Sequence, residues 1–153
     1  MTTNDDWDDE DQPPKVPFAD LPPPPPDTVP SGEVYDWFQR GQQLHENGDL
    51  HAAVELLTRA HAAVPDSRSV LEVLARAQFD AGMYPEAKVS FEKIVAINPA
   101  DDYAQFGLGL AAARVGDLDT AIEHLALAAA MRPDVAHYAT ALRGARATKA
   151  ARR

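Results

Sequence analysis

Five histidines, His45, His51, His61, His124 and His137, are the residues of this chain best suited to moving a proton or holding a metal near neutral pH. No two stand at the i, i+4 spacing that puts a pair of imidazoles on one helix face for zinc. His51, His61 and His124 fall on exposed positions of predicted second helices, and the expectation for all five is solvated surface. The neighbouring carboxylates Asp101 and Asp102, and Asp117 and Asp119, sit where helices are predicted to start. Acids are favoured there by the helix dipole, so capping accounts for them without catalysis. The chain has no glycine-rich phosphate loop, no G-x-S-x-G elbow and no H-E-x-x-H. Cysteine is absent, which excludes disulfides and thiolate chemistry and is compatible with a reducing compartment. The expectation is therefore no enzyme, no cofactor and no metal.

What the chain does possess is a period. Gly41, Ala75 and Gly109 recur at 34 residues, followed in register by Gly48, Gly82 and Gly116, by Ala53, Ala87 and Ala121, by Leu57, Phe91 and Leu125, and by Pro65, Pro99 and Pro133. Five columns held through three copies predict a stacked helical array, in which no unit buries its apolar face alone. The glycine divides each copy into two helical patterns. Trp37, Arg40, Gly41 and Leu44 precede Gly48, and Ala53, Leu56, Leu57 and Ala60 follow it, each set on one face at spacings of three and four. The small residues at Gly41, Ala75, Gly109, Ala53, Ala87 and Ala121 let paired helices approach closely. Gly48, Gly82 and Gly116 suit a left-handed residue ending each first helix. Asp49 and Asp117 are candidate caps of second helices, and Pro85 fits a first turn. Pro65, Pro99 and Pro133 are expected to stop the second helices.

Trp37, Gly41, Leu44, Gly48, Ala53, Leu57, Ala60 and Pro65 resemble a full tetratricopeptide repeat, and residues 68–101 and 102–135 resemble it too. The departures are Leu71 and Gln105 in place of the opening tryptophan, Gln78 at an apolar position, and Ile94 in place of a small residue. The resemblance implies an all-α, right-handed superhelical stack of three helical hairpins, at 34–67, 68–101 and 102–135. A C-terminal helix over 136–153 is expected to cap it, with Tyr138, Ala139, Leu142 and Ala145 on the covering side.

In that family a concave face lined by the first helices binds peptides, through the second, fifth, ninth, twelfth and thirteenth residues of each repeat. Carried over, these are Tyr35, Phe38, Gln42, His45 and Glu46; Ser69, Glu72, Arg76, Phe79 and Asp80; and Tyr103, Phe106, Leu110, Ala113 and Arg114. Five of the chain's aromatic residues are thereby expected on one face that the stack does not bury, with Arg76 and Arg114 available to pair a carboxylate. The expected function is that of a non-enzymatic adaptor gripping a peptide or helix of another protein. Family members that hold a C-terminal carboxylate use Lys, Asn and Arg at positions occupied here by Phe38, Gln42, Val73, Tyr103 and Gly107, so no cationic clamp is expected.

Charge is segregated along the chain. Residues 1–33 carry net −8, residues 34–135 net −7 and residues 136–153 net +5. The first segment holds most of the 13 prolines and the cluster Asp5, Asp6, Asp8, Asp9, Glu10 and Asp11. Too poor in aliphatic residues to offset its chain entropy, it is expected to be a disordered arm, with Pro22 to Pro26 a short polyproline II rod. It carries Trp7 and Phe18 and is a candidate to dock on the groove or on the basic helix. An acidic body makes nucleic acid an unfavoured partner. The alternative function is a regulatory module touching nucleic acid or anionic membrane through Arg143, Arg146, Lys149, Arg152 and Arg153. No apolar run approaches the length of a membrane span and the N-terminus shows no cationic, apolar signal segment, so a cytoplasmic location is expected. Arginine over lysine and abundant alanine hint at a GC-rich bacterial genome.

Overall fold

The structure is a computed structural model describing residues 32–152. Seven helices occupy them: α1 (Gly32–Glu46), α2 (Leu50–Ala63), α3 (Arg68–Asp80), α4 (Tyr84–Ile97), α5 (Asp102–Arg114), α6 (Leu118–Met131) and α7 (Ala136–Ala151). Among the described residues there is no strand, and each helix packs against the ones before and after it. The starts of α2, α4 and α6 are 34 residues apart, as are those of α3, α5 and α7. At the other end α1 begins at Gly32, so Gly32 and Glu33, assigned to the arm on composition, are helical. The rest of that arm, with its polyproline run and its possible self-docking, lies outside the described residues, as does Arg153.

The turns follow the chemistry of their residues. Gly48, Gly82 and Gly116 have φ of 86°, 80° and 87°, a region that costs L side chains strain and glycine none. The amide after each reaches back to the first helix, from Asp49 to the Leu44 carbonyl at 2.8 Å, Met83 to Gln78 at 2.8 Å and Asp117 to Ala112 at 2.9 Å. Asp117 caps α6, its carboxylate accepting from the Thr120 amide at 3.2 Å. Asp49 stands at the same place before α2 and makes no such bond. Ser67 and Asp101 cap α3 and α5. The helices α2, α4 and α6 end at Ala63, Ile97 and Met131, two residues before Pro65, Pro99 and Pro133.

Close approach is visible at the small residues. A Cβ on Gly41 would lie 2.6 Å from Leu57 Cγ, and one on Gly109 2.6 Å from Leu125 Cγ. Ala53, Ala75, Ala87 and Ala121 are wholly buried. Gly107, which belongs to none of the repeating columns, is as crowded: a Cβ there would strike the Phe91 ring. Each fully buried Leu or Phe in this seam contributes roughly 1.5–3 kcal/mol of transfer free energy.

Ten of the 13 residues of α3 and nine of the 13 of α5 are buried. One side of α3 joins Phe38, Ala53 and Leu57, through Val70, Val73, Leu74 and Ala77. The other joins Phe91 and the later helices through Leu71, Ala75 and Phe79. An inner first helix is thus enclosed nearly all round.

The two glutamines that depart from the repeat pattern have found partners. Ser90 Oγ donates to Gln78 Oε1 at 2.6 Å, and Gln105 pairs with His124 Nδ1 at 2.6 Å and donates to the Pro99 carbonyl at 3.0 Å. Buried amides left unpaired would cost about 1–3 kcal/mol each. His124 and His45 are accordingly not the solvated surface residues expected; both are hydrogen-bonded inside the stack.

Tyr138, Leu142 and Ala145 of α7 are buried against α5 and α6, while Ala139 is half-exposed. The Tyr138 hydroxyl donates to Asp102 Oδ2 at 2.7 Å, and its ring lies 4.6 Å from that of Phe106. Burial, reinforced by that carboxylate, pushes the phenol well above its usual range.

Candidate interaction face on the first helices

The residues expected to read a ligand lie on α1, α3 and α5, and the structure divides them into two groups. Phe38, Phe79, Phe106 and Leu110 are buried, at 2, 4, 1 and 6% exposure. They are not free to meet a partner in this arrangement, and the expectation of an unburied aromatic face is corrected at these positions. The reason is packing against the next first helix for Phe38 and Phe106, and against the second helix of its own hairpin for Phe79. Phe38 belongs to the cluster containing Val70, Val73 and Leu74 of α3. Phe79 meets Tyr84 edge-on at 5.2 Å. Phe106 lies between His137, at 5.4 Å, and Tyr138 of α7. Ser69 is wholly buried, and Ala113 packs half-buried on the core.

Four of the ionisable positions are also committed, as two pairs. His45 Nε2 lies 2.6 Å from Asp80 Oδ2, both side chains enclosed. Arg76 donates to Glu72 at 2.7 Å one helical turn away and is 8% exposed, so it is not the open cation expected. Burial raises the Glu72 carboxyl above its ordinary value and lowers the Arg76 guanidinium, each opposing the attraction of its partner. The pair borders a small cleft between α3 and α5, together with Asp101, Tyr103, Phe91 and Ile94.

What remains accessible is a discontinuous row. Tyr35 is half-buried, its hydroxyl accepting from Gln39 at 2.5 Å. Gln42 and Glu72 are half-buried, and Glu46 is exposed. Tyr103 is half-buried, edge-on to Tyr138 at 5.9 Å. Arg114 is exposed, its guanidinium 5.1 Å from the centre of the Tyr84 ring. Sequence reasoning missed the cross-links His45–Asp80 and Tyr138–Asp102, because each joins residues that no periodic column connects. Among the described residues no group of three His, Cys, Asp or Glu side chains could hold a metal, and no helix is long and apolar enough to cross a membrane.

A family model for the tetratricopeptide repeat matches residues 44–90 and 79–144. The chain belongs to the tetratricopeptide repeat family. No curated protein matches its sequence. Among solved structures it is similar to MamA AMB-1, with 25% identity, a TM-score of 0.70, and coverage of 77% of this chain. It spans 64% of that MamA chain, under two thirds of its length. MamA from Desulfovibrio magneticus RS-1 gives a TM-score of 0.74 at 25% identity, covering 76% of this chain and 66% of that one. The first repeat domain of Spaghetti (RPAP3), bound to the HSP90 peptide SRMEEVD, shares the fold at 20% identity and a TM-score of 0.71, covering 80% and 98%.

Proposed function

We propose that this protein is a non-enzymatic adaptor, a right-handed stack of three hairpins at 34–67, 68–101 and 102–135 capped by α7, that binds a peptide or helix of another protein along its first helices. The observation carrying this reading is the accessible row itself. Tyr35, Gln42, Glu72, Tyr103 and Arg114, with Glu46, place two tyrosines and several hydrogen-bonding groups on successive first helices of a rigid scaffold. Tyrosine and arginine are the residue types that dominate binding energy at protein interfaces. Support also comes from the peptide held by the similarly folded RPAP3 domain.

The ligand is not a C-terminal carboxylate held by a cationic clamp. Phe38, Val73 and Gly107 at the clamp positions are buried and uncharged, and Gln42 and Tyr103 carry no cation. A segment offering an apolar side chain to the tyrosines and an acid to Arg114 fits better. Because Phe38, Phe79, Phe106, His45, Leu110 and Arg76 are engaged within the stack, they support the face from beneath in this reading. Contact falls to the accessible row.

Site-specific photo-crosslinking tests it. A crosslinking residue replacing Tyr35 or Tyr103 in the full chain is expected to capture one common partner in cells, and one replacing the exposed Glu55 of α2 is not. Equal capture at all three positions would place the interaction elsewhere.

A further inference from the structure

Helix α7 carries Arg143, Arg146 and Lys149, with Arg152 at its end, and no acid; every other helix contains at least one carboxylate. Lys149 meets Asp119 of α6. Arg143, Arg146 and Arg152 are exposed, and no carboxylate pairs with any of them among the described residues. Arg152 and Lys149 also border an open cleft at the α5–α6 turn, where Asp117 and Asp119 face them, so the uncompensated charge is concentrated at Arg143 and Arg146.

The repeat register says what this surface does not take. Arg143 stands 34 residues after Gly109, and Arg146 34 after Ala112. Gly109 and Ala112 are buried, and Gly109 admits Leu125 of α6. A further helix packed on α7 in the same way would bury two guanidinium groups without partners, which is strongly unfavourable. The occupant must bring negative charge.

We infer that this face of α7 is the docking site of the chain's own acidic segment, residues 5–11, bound within the same molecule. That segment puts Asp5, Asp6, Asp8, Asp9, Glu10 and Asp11 around Trp7. Six carboxylates match the unpaired arginines, and an indole can stack on a guanidinium. Residues 34–135 carry net −7, so the acidic segment meets net repulsion along the body and its densest run of cations at α7. A polyanion from solution must approach a molecule of net −10, whereas the tethered segment is held nearby at a millimolar-order effective concentration.

The tether is long enough. Three steps between successive first helices at about 8–10 Å, plus the length of a helix at about 1.5 Å per residue, set a span on the order of 50 Å. The residues joining Asp11 to α1 extend to about 70 Å at roughly 3.3 Å each. The acidic segment therefore shields α7 from external polyanions, independently of any ligand on the first helices.

The test compares the full chain with a variant in which the six acids become Asn or Gln. In ¹⁵N NMR spectra at about 20 mM salt, where screening is weak, neutralisation is expected to shift amides of residues 142–152 and the Trp7 indole. Arg143→Glu with Arg146→Glu should shift the same indole, and about 0.5 M NaCl should abolish the differences. The neutralised chain should also bind a single-stranded oligonucleotide about tenfold more tightly, having lost its internal competitor. Unchanged α7 amides, or shifts confined to α1, α3 and α5, would overturn the docking site. Shifts that grow with protein concentration would overturn docking within one molecule in favour of a second copy. Equal affinity of both chains for the oligonucleotide, or for phosphatidylserine vesicles, would overturn the shielding. Neutralisation alters no described residue, so these readouts stand even if the arginine variant unfolds.

Discussion

His45 Nε2 lies 2.6 Å from Asp80 Oδ2, bridging α1 and α3 across 35 residues of chain, while Asp80 Oδ1 is buried without a hydrogen-bond partner. The contact joins the first helices of two successive hairpins and fixes their relative setting. One half-satisfied carboxylate is the weak point of this junction, because an unpaired buried acceptor retains its desolvation penalty.

Removing either partner strands the other. His45→Ala and Asp80→Ala are each expected to destabilise by about 2 kcal/mol, and the double variant by clearly less than their sum, with coupling of about 1 kcal/mol or more. Urea denaturation of the four proteins measures it. Additive losses would mean that the two side chains do not act as a pair.

The pH dependence of two aspartates should have opposite signs. Burial holds the Asp80 carboxyl above its ordinary value, the hydrogen bond from His45 only partly opposing it. The native state then binds more protons than the unfolded chain as pH rises from about 3.9, so stability relative to Asp80→Asn falls over that window. Asp117 is held below its ordinary value by its hydrogen bonds to Thr120. Its contribution is present above about 3.9 and lost as pH falls through the folded value, so Asp117→Ala converges on the parent in acid. Asp49→Ala, which removes no capping bond, should cost less than Asp117→Ala near neutral pH. Denaturation midpoints between about pH 2.5 and 7 decide both signs.

Two glycines separate crowding from propensity. Gly107→Ala drives a methyl into the Phe91 ring and is expected to cost about 1–3 kcal/mol. Gly144 has nothing within 4 Å of its would-be Cβ, and Gly144→Ala should stabilise α7 by up to about 1 kcal/mol. Thermal melts with equal shifts would contradict the close α4–α5 packing.

Ala87→Trp tests the repeating alanine column. Ala87 is wholly buried, and the indole should melt part or all of the stack, at a cost of about 1–3 kcal/mol or more. Val89→Trp, two residues along and half-exposed, should leave the circular-dichroism transition within about 0.5 kcal/mol of the parent. An unchanged melt for Ala87→Trp would refute the register.

Helix pairing and the turns were legible in the residues because they depend on contacts within one hairpin, and such contacts recur with the period. Gly48, Gly82 and Gly116 announce their own φ, the prolines announce the helix ends, and Gly41 with Leu57 announces a close approach. The contacts between hairpins were not legible. Phe38 and Phe106 sit at positions that resemble open groove sites, yet each is covered by a neighbour supplied only when the hairpins stack, α3 over Phe38 and α7 over Phe106, while Phe79 also meets Tyr84 of its own hairpin. His45 with Asp80, and Tyr138 with Asp102, are single events outside any repeating column. A period reports which face of a helix is apolar; the angle at which successive hairpins meet decides whether the opposite face stays open. That angle is set by side-chain volumes on several helices at once, so the tertiary structure alone decided which first-helix residues remained in reach of a partner.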